Sequence, residues 1–170
     1  MVSDVSPIEY REFLEKHHIQ GYASATHKLA LREGDKLVAV IGYVKTGDRI
    51  ELTRYATACN VVGGFTRLLK HSIKKFGFTD IITFLDLRWA DPADNMYVKA
   101  GFTVDKVIPP GYLYVEKETV SRREKFMKHK LHGLGIPVDP TLSERENLKR
   151  AGIHRLYDCG KVRYRLTISR

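Results

Sequence analysis

The sequence predicts an α/β protein: one mixed, mostly antiparallel sheet with helices on both faces, extended at its C-terminal end by a basic helical and hairpin segment. Three observations predict it. Segments rich in β-branched residues are joined by turns at Gly34-Asp35 and Gly47-Asp48, as consecutive antiparallel strands should be. Next comes an amphipathic stretch in which Val61, Val62, Phe65, Leu68, Leu69, Ile73 and Phe76 recur every three or four residues. A nearly continuous apolar run, Asp80 to Leu87, then reads as a central strand buried on both faces, so that strand, helix and strand form one parallel crossover.

The elements follow in order. Ser6-Pro7-Ile8-Glu9 has the spacing of a capping box with proline at the first helical position, and the helix it opens is expected to stop at Gly21. Tyr22 to Arg32 and Lys36 to Lys45 pair as a hairpin, and Ile50 to Tyr55 adds a third strand whose alternation points Ile50, Leu52 and Arg54 to one face. The amphipathic helix after Asn60 carries Arg67, Lys70, Lys74 and Lys75 on its outer side. Asp86 ends the central strand, Asp94 is placed to cap a short helix over 95–99, and Gly101 stops that helix before a strand from Phe102 to Ile108. Pro109-Pro110-Gly111 breaks the chain ahead of a strand at Tyr112 to Val115. Ser121 to Leu131 reads as a basic helix, packed through Phe126 and Leu131. Another helix starts at Thr141 to Glu144 and ends at Gly152, and residues 153–158 and 162–168 close the chain as a hairpin. The length of 170 residues suits a single domain, with a core over about 22–118 and an extension over 119–170.

Composition limits the function classes. With 43% hydrophobic and 10% aromatic residues the chain buries a core and is not disordered. Lys and Arg number 29 against 20 Asp and Glu, a net +9 that favours a polyanionic partner or an acidic ligand. Cys59 and Cys159 are not arranged as a zinc knuckle or a disulfide framework, and the histidines lack the spacing of metal ligands, so no metal is expected. Residues 1–10, MVSDVSPIEY, do not read as the basic and apolar regions of a secretory leader, the sequence holds no apolar run of membrane-spanning length, and a cytoplasmic location is expected. The hydrolase motif G-x-S-x-G is absent.

Two stretches carry chemistry. Gly63-Gly64 opens the amphipathic helix, where exposed amides and the positive end of the helix dipole suit a pyrophosphate; close packing of helix on sheet explains the same glycines. Asn60, Val62, Gly63, Gly64, Phe65 and Thr66 are therefore the candidate cofactor-binding residues. Arg122, Arg123, Lys125, Lys128 and Lys130, with only Glu124 opposing, make a patch able to neutralise phosphates, and Arg163, Arg165 and Arg170 add charge near the end. A solvated charged face is the plainer reading of the same residues. Tyr112, Tyr114 and Tyr164 are candidates for base stacking if the fold brings them together. Arg88 and Trp89 lie in a polar loop, where the tryptophan can stack on a ring or simply anchor the loop.

The strand, glycine turn, helix, acid-ended strand and Tyr97-x-Lys99-x-Gly101-Phe102 resemble the core of the GNAT acyltransferases over about residues 30–115. That family's turn reads [QR]-x-x-G-x-[GA]; its positions fall on Asn60, Gly63 and Phe65, of which the glycine matches. A second resemblance spans most of the chain after Glu51. Arg54, Val62-Gly63-Gly64-x-Thr66, Asp86-x-Arg88-Trp89, Tyr97-x-Lys99-x-Gly101-Phe102, Pro110-x-Tyr112-x-Tyr114 and Tyr157-Asp158-Cys159-Gly160 are similar to the GNAT-like domain of phage proteins found with homing endonucleases, which shares its skeleton with the Mom family of DNA-modifying enzymes.

These resemblances imply acetyl-CoA or another acyl-CoA as donor and an amine acceptor on a nucleobase, nucleotide or DNA. They also imply a catalytic quartet of Arg54, Thr66, Asp86 and Tyr97. In those roles Asp86 accepts a proton from the amine or holds it, Tyr97 protonates a thiolate, and Arg54 orients a carboxylate or phosphate. Each has a structural alternative: Asp86 and Arg54 pair with one another or with Arg88, and Tyr97 is a core aromatic. The competing function is a noncatalytic DNA-binding or protein-interaction module of the same fold.

Overall fold

The computed structural model describes residues 1–168, and Arg170 lies outside the described residues. The chain forms two compact units, residues 1–107 with the strand from 162 onward, and residues 108–161.

In the first unit the elements are β1 (Val2–Ser3), α1 (Pro7–His17), β2 (His27–Glu33), β3 (Lys36–Thr46), β4 (Arg49–Thr57), α2 (Gly64–Phe76), β5 (Asp80–Asp86), α3 (Met96–Lys99) and β6 (Thr103–Ile108). Beyond the second unit, the last strand, β10 (Lys161–Thr167), returns to complete a seven-stranded sheet in the order β1-β2-β3-β4-β5-β10-β6. The strands from β1 to β4 are antiparallel neighbours, and β4 pairs parallel to β5.

Alternation along β2 and β3 places the two long helices on opposite faces. Ala30 and Val40 pack with Tyr10, Phe13 and Leu14 of α1, whereas Leu29, Leu31, Ala39 and Ile41 pack with Phe65, Leu68 and Leu69 of α2. The capping box at the start of α1 forms as the sequence predicts: Glu9 N donates to Ser6 Oγ at 3.2 Å and Ser6 N to the Glu9 carboxylate at 3.1 Å. The helix ends at His18 rather than Gly21, and β2 begins at His27 rather than Tyr22.

One close approach fixes the position of α1. The Tyr10 ring lies over Gly42, where a Cβ would sit 1.8 Å from the tyrosine oxygen and 2.6 Å from Cζ. Only glycine leaves room for it.

The second unit holds β7 (Tyr112–Glu116) between β8 (Thr119–Ser121) and β9 (Ile153–Tyr157), together with α4 (Glu144–Arg150). Tyr114, Phe126, Leu131, Leu148 and Ile153 form its core. Two expectations are corrected here. Residues 121–131 are not an α-helix but short 3₁₀ turns over Arg123–Phe126 and Lys128–Lys130, although Phe126 and Leu131 are buried as expected. Cations stacked three and four apart repel along a helix, and Met127, with ψ of 140°, is extended. Nor do the last two strands pair. β9 pairs with β7, Tyr112 facing Tyr157, while β10 joins the large sheet. The linker is held elsewhere: the Asp158 carboxylate accepts from Gly111 N at 2.9 Å and Gly160 N at 2.8 Å.

Candidate functional site

The site is organised by a β-bulge and by a parting of strands. Gly42 faces Arg54 and Tyr43 faces Leu52, so Thr53 is the extra residue on β4, and its hydroxyl donates to Gly42 O at 3.2 Å. An extra residue reverses the alternation beyond it. Ile50 and Leu52 face the α2 side, whereas after the bulge Tyr55 takes that side and Ala56 packs under α1. Arg54 shares the side of Ala56, which corrects the expectation that it shares the face of Ile50 and Leu52.

β4 and β5 pair only at Ile50 with Ile81, Glu51 with Ile82 and Leu52 with Thr83. Beyond that rung β4 continues beside β3 as far as Thr57, so an opening begins between β4 and β5. Thr83, buried, closes the last rung by donating to Leu52 O at 3.0 Å.

Arg54 stands two residues past this rung. Its Nε donates to Gly21 O at 3.1 Å and its Nη1 to Thr53 O at 2.8 Å. Among the described residues no carboxylate pairs with it. Its positive charge is felt on both sides of the sheet, by Tyr10 and His18 near α1 and by Tyr97 in the α2-side core. His18 Nδ1 accepts from Gln20 N at 3.0 Å, and burial, followed by Arg54, lowers its pKa.

Tyr97 is held by a cap that the sequence reading misassigned. Asn95, not Asp94, caps α3: its side-chain oxygen accepts from Tyr97 N at 2.9 Å and Val98 N at 3.2 Å. Its amide donates to Asp91 O, Pro92 O and the Tyr164 oxygen at 2.9, 3.2 and 3.1 Å, whereas Asp94 pairs with Lys99 at the surface. Asn95 is thereby buried and fully bonded. The Tyr97 ring lies edge-on to Phe65 and Phe102. Burial raises the Tyr97 phenol above its ordinary value, outweighing the opposing influence of Thr83 and Arg54. The group is a neutral proton donor at physiological pH.

The two glycines before α2 do different work. Gly63 is left-handed, with φ of 67° and open space where a side chain would go; at Gly64 a Cβ would meet Val61 Cγ1 at 2.9 Å and the Tyr55 oxygen at 3.0 Å. Gly64 thus serves close packing and Gly63 an open turn. α2 has no side-chain cap, and the amides of Phe65 and Thr66 meet no acceptor among the described residues. The Phe65 ring turns into the core between Tyr55 and Tyr97, leaving this helix end clear, while Val62 and Asn60 are exposed and Thr66 is half-buried.

Asp86 sits in a fork with Arg88: Nε donates to Oδ1 at 3.0 Å and Nη2 to Oδ2 at 2.6 Å. The Arg88 guanidinium also lies 5.7 Å from the exposed Trp89 ring. Of the proposed quartet, then, Arg54 lies on the α1 side of the sheet and Tyr97 in the α2-side core, Thr66 marks the helix end, and the bonds described for Asp86 run to Arg88.

The basic segment is partly turned inward on its own unit. Lys128 Nζ donates to Leu142 O and Lys130 Nζ to Glu124 O, while Lys125 pairs with Glu116 at 3.9 Å. Arg122 is exposed and Arg123 lies 5.6 Å from the Tyr112 ring. Tyr114 and Tyr164 are fully buried, which removes both as stacking surfaces. The exposed aromatic beside Tyr112 is Tyr157, which the sequence offers as part of the Tyr157-Asp158-Cys159-Gly160 motif but not as a stacking residue.

No family model matches the sequence, and no curated protein matches it significantly. Solved structures do. The chain is similar to the ribosomal-protein-S18-alanine N-acetyltransferase of Escherichia coli, with a TM-score of 0.59 at 13% identity over 100% of this chain and 94% of that one. A Bacillus subtilis acetyltransferase solved in complex with CoA gives 0.56 at 16% identity, covering 99% and 97%. The fold is that of the GNAT N-acetyltransferases. An IAA acetyltransferase from Bacillus cereus extends the likeness, with a TM-score of 0.54, 12% identity and 99% of both chains covered. Within this GNAT fold, the sites that sequence reasoning missed are those made by pairing: the bulge at Thr53, the Gly21 carbonyl under Arg54, the sealing Thr83 and the Asn95 cap. An asparagine at the residue just before a short helix was the one local signal available.

Proposed function

We propose that this chain is an acyltransferase that moves an acyl group from an acyl-CoA to an amine. The observation that carries the reading is the opening between β4 and β5 beyond Leu52 and Thr83, with the protonated Tyr97 beside its last rung. The GNAT fold supports the same reaction class. An acyl-CoA supplies an acyl carbonyl activated as a thioester. The residues present suit such a donor: Gly63 offers an unobstructed turn, and the Phe65 and Thr66 amides at the positive end of α2 suit a pyrophosphate, flanked by Asn60, Val62 and Gly64. Tyr97 would give its phenolic proton to the departing sulfur as the C–S bond breaks and the amine forms the new bond to the acyl carbon, and the proton released by the amine nitrogen would restore the phenol. Asp86, with both oxygens in the Arg88 fork, fixes the loop that carries Arg88 and Trp89.

The test is calorimetry with acetyl-CoA, followed by single-turnover transfer to a panel of amines scored by mass spectrometry, since Cys59 and Cys159 are exposed and would confuse a thiol assay. Tyr97→Phe should retain the binding heat and lose transfer by about 10²-fold or more. Absence of binding overturns the proposal, and binding without transfer to any amine favours the noncatalytic module.

A finer reading of the acceptor is an amine of a nucleobase in DNA. It is supported by the net charge of +9, by the resemblance of Arg54, Thr66, Asp86 and Tyr97 to the Mom quartet, and by Arg122 with the Tyr112, Arg123, Tyr157 and Arg155 cluster, in which Arg155 stacks 4.0 Å from the Tyr112 ring. Mass spectrometry of nucleosides from DNA co-expressed with the protein should show a shifted base that Tyr97→Phe abolishes. Unmodified DNA excludes this acceptor.

A further inference from the structure

Arg54 is a half-buried guanidinium whose described partners are two backbone carbonyls, those of Gly21 and Thr53. A positive charge withdrawn from water without a counter-charge is costly, and two neutral carbonyls compensate it only in part. Two carbonyls also use only Nε and one Nη, leaving N–H donors at the far end of the fork.

Its surroundings add donors rather than acids. His18 Nδ1 is occupied by Gln20 N–H, so the neutral ring carries its proton on Nε2 and presents a donor there. The Tyr10 hydroxyl is buried with no hydrogen-bond partner. The bulge at Thr53 is what brings Arg54 to this side of the sheet, beside the β4–β5 opening.

We infer that the acceptor of the proposed transfer carries an acidic group, a carboxylate or a phosphate, and that the free N–H groups of Arg54 bind it. The inference rests on the acyl-transfer reading for the word acceptor, but the anion site itself does not. Arg54 matches a carboxylate or phosphate through two parallel N–H groups, which a lysine cannot present. Neutral and polycationic amines find nothing here to offset the guanidinium. Acidic amines are therefore selected by ground-state binding, and the selection appears in KM more than in kcat.

Two experiments test this and separate it from the parent reading. In the first, the imidazole resonance of His18, assigned by its loss in His18→Asn, is followed by NMR while inorganic phosphate or acetate is added at constant ionic strength. Wild type should show a saturable shift, Arg54→Lys a weaker one, and Arg54→Gln none. A shift that survives in Arg54→Gln, or no shift in wild type with either anion, overturns the inference whether or not the chain uses an acyl-CoA. The circular dichroism melt of each variant confirms that it is folded, and the charge-retaining Arg54→Lys keeps the test valid if Arg54→Gln is not.

In the second, transfer rates are compared for matched amines: amino acids against their amides, and aminated nucleoside monophosphates against the nucleosides. Arg54→Gln should lower kcat/KM for the acidic member by about tenfold more than for its neutral partner, the excess appearing in KM. Preference for the carboxylates identifies an amino-acid-like acceptor, and preference for the phosphates a nucleotide-like one. Equal use of both members of every pair by the wild type overturns the inference.

Discussion

Adding one methyl group at Gly42 tests how firmly α1 is seated on the sheet. The new Cβ would lie 1.8 Å from the Tyr10 oxygen, 2.6 Å from Tyr10 Cζ and 3.1 Å from the Ala25 methyl. Carbon atoms approach to about 3.5 Å at best, so the ring has to move by more than an ångström. It has nowhere to go, because Tyr10 is 1% exposed and packed with Phe13, Leu14, Val40 and Ala56. Overpacking of this kind costs about 1–3 kcal/mol, and a clash that includes a ring carbon belongs at the upper end. At about 2–4 °C per kcal/mol for a chain of this size, Gly42→Ala should melt about 6–12 °C below wild type.

Tyr10→Phe acts in the opposite sense. It removes a buried hydroxyl without a partner, which should stabilise by about 1 kcal/mol, and it relieves the shorter of the two ring contacts. In a double-mutant cycle followed by urea and thermal denaturation, Gly42→Ala should therefore cost about 1 kcal/mol less in the Tyr10→Phe background. A Gly42→Ala protein melting within 2 °C of wild type, or strict additivity in the cycle, would refute the packing described for α1; both thresholds follow from the per-kcal sensitivity just used.

Three further outcomes are expected. Asn95→Ala removes both the cap of α3 and a buried amide that serves three acceptors, and should cost about 2–3 kcal/mol in urea unfolding while disturbing the Tyr97 ring resonances; an unchanged midpoint would mean that the cap is dispensable. Phe65→Ala empties the space between Tyr55 and Tyr97 and should cost about 3–5 kcal/mol, so a near-neutral change would place the ring outside the core. His18 and His27 both have lowered pKa values, for which burial is the leading cause. The unfolded chain therefore binds more protons than the folded one below about pH 6.5, and stability should be fully present above that value and fall as the pH drops toward the folded pKa values. Replacing both residues by Asn should flatten the melting temperature between pH 7 and 5; an unaltered slope would assign it to other groups.

The sequence was most informative where the controlling interactions are local. Ser6 and Glu9 are three residues apart and bond to one another, and the apolar spacing from Phe65 to Phe76 is written into a single helix face. Turns at Gly34 and Gly47 likewise announce the hairpins on either side of β3. At the candidate site, Gly63 is left-handed with open space where a side chain would go, as a glycine opening a helix suggests, whereas the surroundings of Arg54 and Tyr97 are set by strand pairing and burial that the sequence does not record.

By itself, then, the sequence determined the long helices, most strands and the residue types at the site, because backbone propensity, caps and hydrophobic period act between residues a few positions apart. Only the tertiary structure decided on which face Arg54 lies, since one extra residue at Thr53 inverts every side chain beyond it and is defined only by pairing with β3. Tertiary structure also sent β10 into the large sheet and β9 to β7, and chose Asn95 over Asp94 as the cap by giving its amide a buried partner in Tyr164. These choices are energies of contact between segments up to 85 residues apart, and no local pattern records them.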